Sequence, residues 1–242
     1  MGRLHSRLNT ERVTLMTIEL KNTGFIIYEG NCPPLGKITV PCQSFNYRFI
    51  SGVYILSGNI DDGGFALSYL LGGTYTKKQL VVYDEGNILV DNYPVSISEF
   101  KNIGCYLGDH QNKKYKYFSV KKLIEFALKK SKLPYNTDDI RKLFHIDKDR
   151  FERTLNKVGI TIWQCIAAIG FAEGKKLYTF PWFSPEKQTF FGEMFKIIIP
   201  VLKENNCIVM IPATDFEQLE GLYDYEVNLK QLFLSNINKN NI

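Results

Sequence analysis

Between Gly52 and Gly73 the chain reads G-VYILS-GNIDDGG-FALSYLL-GG. A short β-branched and aromatic run, a glycine-bearing loop and an apolar run at helical spacing follow one another with no residues to spare. Val53–Ser57 has the length and composition of a buried strand, and Gly58–Gly64 has to turn the chain. Phe65–Leu71 then reads as a helix that stops at Gly72–Gly73, because paired glycines end a helix at little steric cost. A strand that passes through one tight loop into a helix begins an α/β unit, and this unit limits what the rest of the chain can be.

The flanking sequence repeats the alternation. Thr17–Tyr28 alternates as a strand, EGNCPPLG is a turn-rich break, and Lys37–Arg48 is strand again. Leu80–Tyr83 and Ile88–Val90 read as a hairpin about Glu85–Gly86, and Ile103–Leu107 is another short apolar strand. The character then changes. From Lys113 to Asn156 apolar residues recur at helical spacing (Val120, Leu123, Ile124, Leu128; Ile140, Leu143, Phe144; Phe151, Leu155) among lysines and aspartates, and Trp163–Phe171 continues as an apolar helix. Beyond Glu173–Gly174 strand and helix alternate once more: Leu177–Phe180, Phe190–Leu202, Cys207–Ile211, a short helix at Asp215–Leu222, and Tyr225–Leu229. The expected fold class is α/β, with a mostly parallel sheet covered on both faces and a helical insertion. The expected division is a tail at 1–15, a core formed by 16–111 and 164–242, and a helical subdomain at 112–163.

Composition removes several classes of function. The net charge of +5 is spread along the chain, so nucleic acid is not an expected partner. Cys32, Cys42, Cys105, Cys165 and Cys207 are odd in number and form no CxxC. They read as thiols of a cytoplasmic protein rather than a disulfide frame or zinc site. His5, His110 and His145 lie far apart, so no metal site is expected. No apolar run approaches the roughly 18–20 residues that span a bilayer.

The ordered set of segments resembles the ATP-binding subunit of ABC transporters from Met16 to about Leu229. That family combines an antiparallel β region, a strand–P-loop–helix unit, an inserted helical subdomain and a return to a parallel core. Its P-loop reads G-P-N-G-x-G-K-[ST]-T-L; here Gly58–Leu67 reads GNIDDGGFAL, with Gly58 and Gly63 at glycine positions. Gly52 and Leu70–Gly73 match the family's glycine before the strand and its Leu-x-Gly after the helix. Gly108 stands where the family has the glutamine after its next core strand. Ala167–Gly174 resembles the helix after the signature motif, whose own residues reduce to Gly159 within Asn156–Ile160. Pro181 and Trp182 stand in place of the acidic Walker B pair, Thr214 in place of the switch histidine, and Tyr223–Asp224–Tyr225 matches the triplet before the last strand. Tyr28 falls where the family stacks adenine on an aromatic ring.

The resemblance implies a nucleotide site formed by Tyr28, Gly58, Asn59, Asp61, Asp62, Gly63, Gly64 and Phe65. The residues in it imply a site without the usual chemistry. Gly64 replaces the lysine that reaches the β- and γ-phosphates, Phe65 replaces the magnesium-binding hydroxyl, and Asp61 and Asp62 bring negative charge to a loop that should attract it. Pro181 and Trp182 supply neither a magnesium ligand nor a carboxylate to position water. No catalytic residue, metal or cofactor is therefore expected, with ATP a ligand only if the altered loop still binds it. The implied role is a structural or coupling subunit for a membrane permease or a catalytic ABC partner, as a homo- or heterodimer, cytoplasmic and peripheral at the inner face of the membrane. Two alternatives stay open: a scaffold or other-ligand module on this fold, and an ATPase with an unorthodox site.

Overall fold

The computed structural model describes residues 15–32, 36–73, 80–82, 87–108, 117–182 and 185–233; the side chains of residues 25, 27–41, 80–82 and 185–190 lie outside that description. Two sheets organise the chain. The first is antiparallel: β1 (Thr17–Cys32) pairs along its length with β2 (Gly36–Ile50), and β5 (Asn87–Val90) and β6 (Tyr93–Pro94) extend it in the order β2-β1-β5-β6. The second is parallel throughout, in the order β10-β3-β9-β8-β7, from β3 (Gly52–Ser57), β7 (Gly104–Tyr106), β8 (Leu177–Thr179), β9 (Ile208–Ala213) and β10 (Tyr225–Asn228).

All six residues of β3 and all six of β9 are buried, which explains why these strands read as continuous apolar runs rather than alternating ones. Alternation persists as a choice between two interiors. Val53, Ile55, Tyr178, Val209 and Ile211 face one core, whereas Tyr54, Leu56, Leu177, Ile208 and Met210 face the other. The first core is closed by α3 (Val120–Ser131), α6 (Ile162–Ala172) and α7 (Pro185–Glu204), the second by α1 (Gly64–Leu71), the short α2 (Phe100–Ile103) and the antiparallel sheet. The parallel sheet is thus a wall shared by two apolar interiors.

Between β7 and β8 the described chain is helical: α3, α4 (Thr137–Leu143), α5 (Lys148–Phe151), two single 3-10 turns and α6. The caps follow the sequence. The Ser119 hydroxyl accepts from the Lys122 amide, and Asn136 Oδ1 accepts from the amides of Asp138 and Asp139.

Two expectations need correction. Leu80–Val82 (β4) and Asn87–Val90 (β5) do not pair with each other as a hairpin. Both pair with β1, β4 against Phe25–Ile27 and β5 against Ile18–Lys21. A sixteen-residue strand offers two separate pairing segments on one edge, and each short strand takes its own. Asp215–Leu222 is not a helix; it holds one 3-10 turn at Glu217–Leu219. Asp215 Oδ1 accepts from the Glu217 amide, and Gly221 then adopts φ 79°, which ends any helical run. The expected turn at Glu85–Gly86 and the expected tail lie outside the described residues.

Candidate functional site

The site expected from the sequence is the connection between β3 and α1, at the C-terminal edge of the parallel sheet, where ligands of open α/β sheets bind. Two backbone angles set its shape. Gly58 has φ 143° and Gly63 φ 96°, a region that side chains with a β-carbon avoid. The Gly58 amide donates to the Ala213 carbonyl (3.1 Å), tying the loop to the end of β9, and the Leu67 amide donates to the Gly63 carbonyl (2.9 Å), starting α1.

Inside the turn the chain bonds to itself. Asp62 Oδ2 accepts from the Asn59 amide (2.8 Å), and the Asp62 amide donates to the Asn59 carbonyl (3.1 Å). A β-carbon built on Gly58 would lie 2.9 Å from the Asp62 β-carbon and 3.0 Å from Oδ2, so this carboxylate is folded into the turn. Its other oxygen pairs with Lys230 Nζ at 3.3 Å. Asn59 and Asp61 project to solvent.

The residues below the loop are apolar. Every residue of α1 is buried, and Phe65 has no exposed surface. Its ring lies 5.9 Å from that of Tyr69, which meets Tyr106 edge-on at 5.3 Å. Gly64 is enclosed too: a β-carbon there would stand 3.2 Å from Leu56 Cβ and 3.4 Å from Pro212 Cβ. Cys42 lies against Gly63, with its sulfur 3.3 Å from where a β-carbon would project. Burial pushes that thiol well above its ordinary value.

Positions far apart in sequence meet at this loop. Trp182 Nε1 donates to the Gly58 carbonyl at 3.4 Å, and Thr214 Oγ1 donates to the same oxygen at 3.3 Å. A β-carbon on Gly108 would lie 2.8 Å from Pro181 Cβ. The residues matched to the P-loop, the glutamine strand, Walker B and the switch are therefore neighbours here. Gly159, matched to the signature, has φ 64° and open space where a side chain would project. The Tyr28 side chain lies outside the described residues. Asp215 caps its own turn, and Glu173 is the exposed cap of α6.

Two contributors escaped the sequence reading. After β10 the chain makes a helical turn at residues 229–233. There Lys230 reaches Asp62, and the Phe233 ring stands 5.8 Å from Phe45 and close to Gly63. No local sequence signal marks that return. Asp224, read only as part of a motif, anchors the start of β3: Oδ2 accepts from the Val53 amide at 3.0 Å, and Oδ1 pairs with Lys203. Among the described residues no group of three metal-ligating side chains is close enough to hold an ion, and no helix is long and apolar enough to cross a membrane.

The parallel order β10-β3-β9-β8-β7, with a strand–loop–helix at β3 and helices inserted between β7 and β8, defines a fold of the P-loop ABC ATPase type. Solved structures agree. A protein from Pyrococcus furiosus described as an ABC transporter ATP-binding protein superposes with a TM-score of 0.59 at 15% identity, over 89% of this chain and 98% of its own. CbiO1 from Clostridium perfringens, part of the ABC transporter complex CbiONQ, superposes with a TM-score of 0.57 at 17% identity, over 90% of this chain and 94% of its own. No protein-family model matches the sequence, and no curated protein sequence is detectably similar. The likeness is one of fold.

Proposed function

We propose that the chain is a non-catalytic counterpart of the ABC transporter ATP-binding subunit, acting as a structural or coupling subunit beside a membrane permease or a catalytic ABC partner. One observation carries this reading: the loop that would cradle phosphate turns its own carboxylate onto one of its amides. The Asp62 carboxylate takes the Asn59 amide, Lys230 neutralises that carboxylate, and Trp182 and Thr214 both cap the Gly58 carbonyl. Magnesium triphosphate does not fit these residues. It needs a lysine and a hydroxyl at the start of the helix, where Gly64 is packed against Leu56 and Phe65 is wholly buried. It also needs a nearby carboxylate to complete the magnesium shell, where Pro181 and Trp182 stand. In this reading residues 112–163 are the helical subdomain, 16–111 and 164–242 the core, and 1–15 a tail. The solved neighbour that works within a transporter complex supports a permease as partner. The subunit would then sit on the cytoplasmic face, without nucleic acid and without a bound cofactor.

Calorimetry with magnesium ATP tests the first half. No binding at micromolar concentration and no phosphate release above background are expected. A micromolar dissociation constant that disappears when the Gly58–Phe65 loop is changed would overturn the proposal. Co-purification of the tagged chain with a polytopic membrane protein tests the second half.

A further inference from the structure

Helix α3 leaves a face that the fold does not use. Val120, Leu123, Ile124 and Ala127 are buried against the rest of the helical insertion. On the opposite side Lys122, Phe126 and Lys129 fall within one stripe, because residues three and four apart share a helix face, and Phe118, two residues before the helix, packs its ring against Phe126. Phe118 is 37% exposed, Phe126 43% and neighbouring Tyr117 77%. The two phenylalanine rings meet edge to face at 5.3 Å, and Lys122 Nζ lies 5.3 Å from the centre of the Phe126 ring. Isolated exposed aromatics are ordinary, but a cluster of them marks a surface that meets something.

The charge around the cluster says what. The helix carries Lys121, Lys122, Lys129 and Lys130 against the single acid Glu125. Lys122 is paired with Glu125 at 3.0 Å and Lys121 with Glu152 at 2.8 Å. Lys129, Lys130 and Lys132 stand at the C-terminal end with no carboxylate in ion-pair reach among the described residues, all three exposed.

We propose that this stripe rests on an anionic lipid surface, with Phe118 and Phe126 entering the headgroup boundary and Lys129, Lys130 and Lys132 facing its negative groups. Exposed rings and unpaired lysines together supply the two attractions of interfacial binding, apolar burial and charge on anionic lipid. Each lysine near an anionic surface strengthens it about fivefold. The rings stand on the exposed side of the chain here, and lysine stems are long enough to reach headgroup charge while the rings insert. Such a contact is weak and reversible, suited to a second hold beside a permease. It deepens the membrane-peripheral reading above, and it is tested on lipid alone, so its failure leaves the permease partnership standing.

The experiment is sedimentation of the full chain with phosphatidylcholine vesicles, with and without phosphatidylserine, at low and high salt. Binding is expected only with phosphatidylserine, and it should weaken as salt rises. It should fall about tenfold or more in Lys129→Glu/Lys130→Glu and be lost in Phe118→Ser/Phe126→Ser. The lysine pair lies on an exposed face and keeps the test decisive if the phenylalanine variant proves less stable. Failure to bind phosphatidylserine vesicles overturns the proposal, as does equal binding to both vesicle types or indifference to both pairs of substitutions. Failure on vesicles combined with salt-sensitive binding of polyglutamate would replace the lipid with an acidic protein.

Discussion

The two ends of helix α1 are both built on glycine, for different reasons. At the C-terminal end the constraint is close approach of the helix end to neighbouring strands: a β-carbon on Gly104 would lie 2.0 Å from the Leu71 carbonyl oxygen, and one on Gly72 would lie 2.5 Å from the side-chain atoms Tyr106 Cβ and Thr179 Oγ1. At the N-terminal end Gly58 and Gly63 hold the loop's path through positive φ, while the groups facing the loop are Asp62, Trp182, Thr214 and Phe65. One end shows what the fold requires of any sequence. The other is a turn set by two glycines and closed by its own side chains.

The strongest attempt to break that contrast is Gly64→Lys with Phe65→Ser, which writes a phosphate lysine and a magnesium hydroxyl into the loop. Removing a fully buried phenylalanine costs about 3–5 kcal/mol, and Gly64 has Leu56 and Pro212 against it. A large drop in the urea midpoint is expected, with no ATP turnover even in protein that stays folded. Hydrolysis on the order of 1 per second would mean that the catalytic groups have been misplaced.

Gly104→Ala probes the other end. With 2.0 Å to a carbonyl oxygen no rotamer relieves the clash, so a loss of about 3 kcal/mol is expected from denaturant unfolding. A loss below about 1 kcal/mol would show that the C-terminal end yields more than its packing suggests.

Alkaline pH tests the buried thiols, of which Cys42 lies at the loop end of the helix. Burial raises the Cys42 thiol well above its ordinary value near 9 and the Cys165 and Cys207 thiols to about 12. In the unfolded chain these thiols ionise near pH 9, whereas in the folded protein they stay protonated. The folded state therefore holds more protons above that pH, and their contribution is present below pH 9 and lost as pH rises. The urea midpoint should fall between pH 8 and pH 10, and a maleimide should label none of the three quickly at pH 8. Because Cys42 lies beneath Gly63, a variant that loosens the loop should speed its labelling and leave Cys165 and Cys207 unchanged.

Asp62→Ala is such a variant. It removes the hydrogen bond to Asn59 and the ion pair with Lys230, for an expected cost of about 1 kcal/mol. Lys230→Ala should cost no more than about 0.5 kcal/mol, since its side chain is 65% exposed.

Much of the frame was legible because the strands of the parallel sheet are covered on both sides. Val53–Ser57 and Cys207–Ile211 stand out as apolar blocks, and Gly58 and Gly72–Gly73 mark where the chain turns. Pairing partners were less legible. Nothing in Leu80–Val82 says that it meets Phe25–Ile27 rather than the strand after it, because three apolar residues suit either edge equally well. At the loop the sequence gives charge but not direction. Asp62 reads as a group that repels phosphate, whereas its position, folded back onto Asn59 and held by Lys230, depends on a turn some 170 residues away.

The wall between the two interiors has a consequence for any attempt to move pieces of this protein elsewhere. The apolar residues of α3 and α6 form one continuous interior with Val53, Ile55, Val209 and Ile211 of the sheet and with Ile198 and Leu202 of α7. Excising the helices between β7 and β8 would leave that face of the sheet covered by α7 alone, and grafting them onto another scaffold would carry away one side of an interface with nothing to complete it. Their sequence boundaries look like a cassette, but the helices lack the self-sufficiency that transplantation demands.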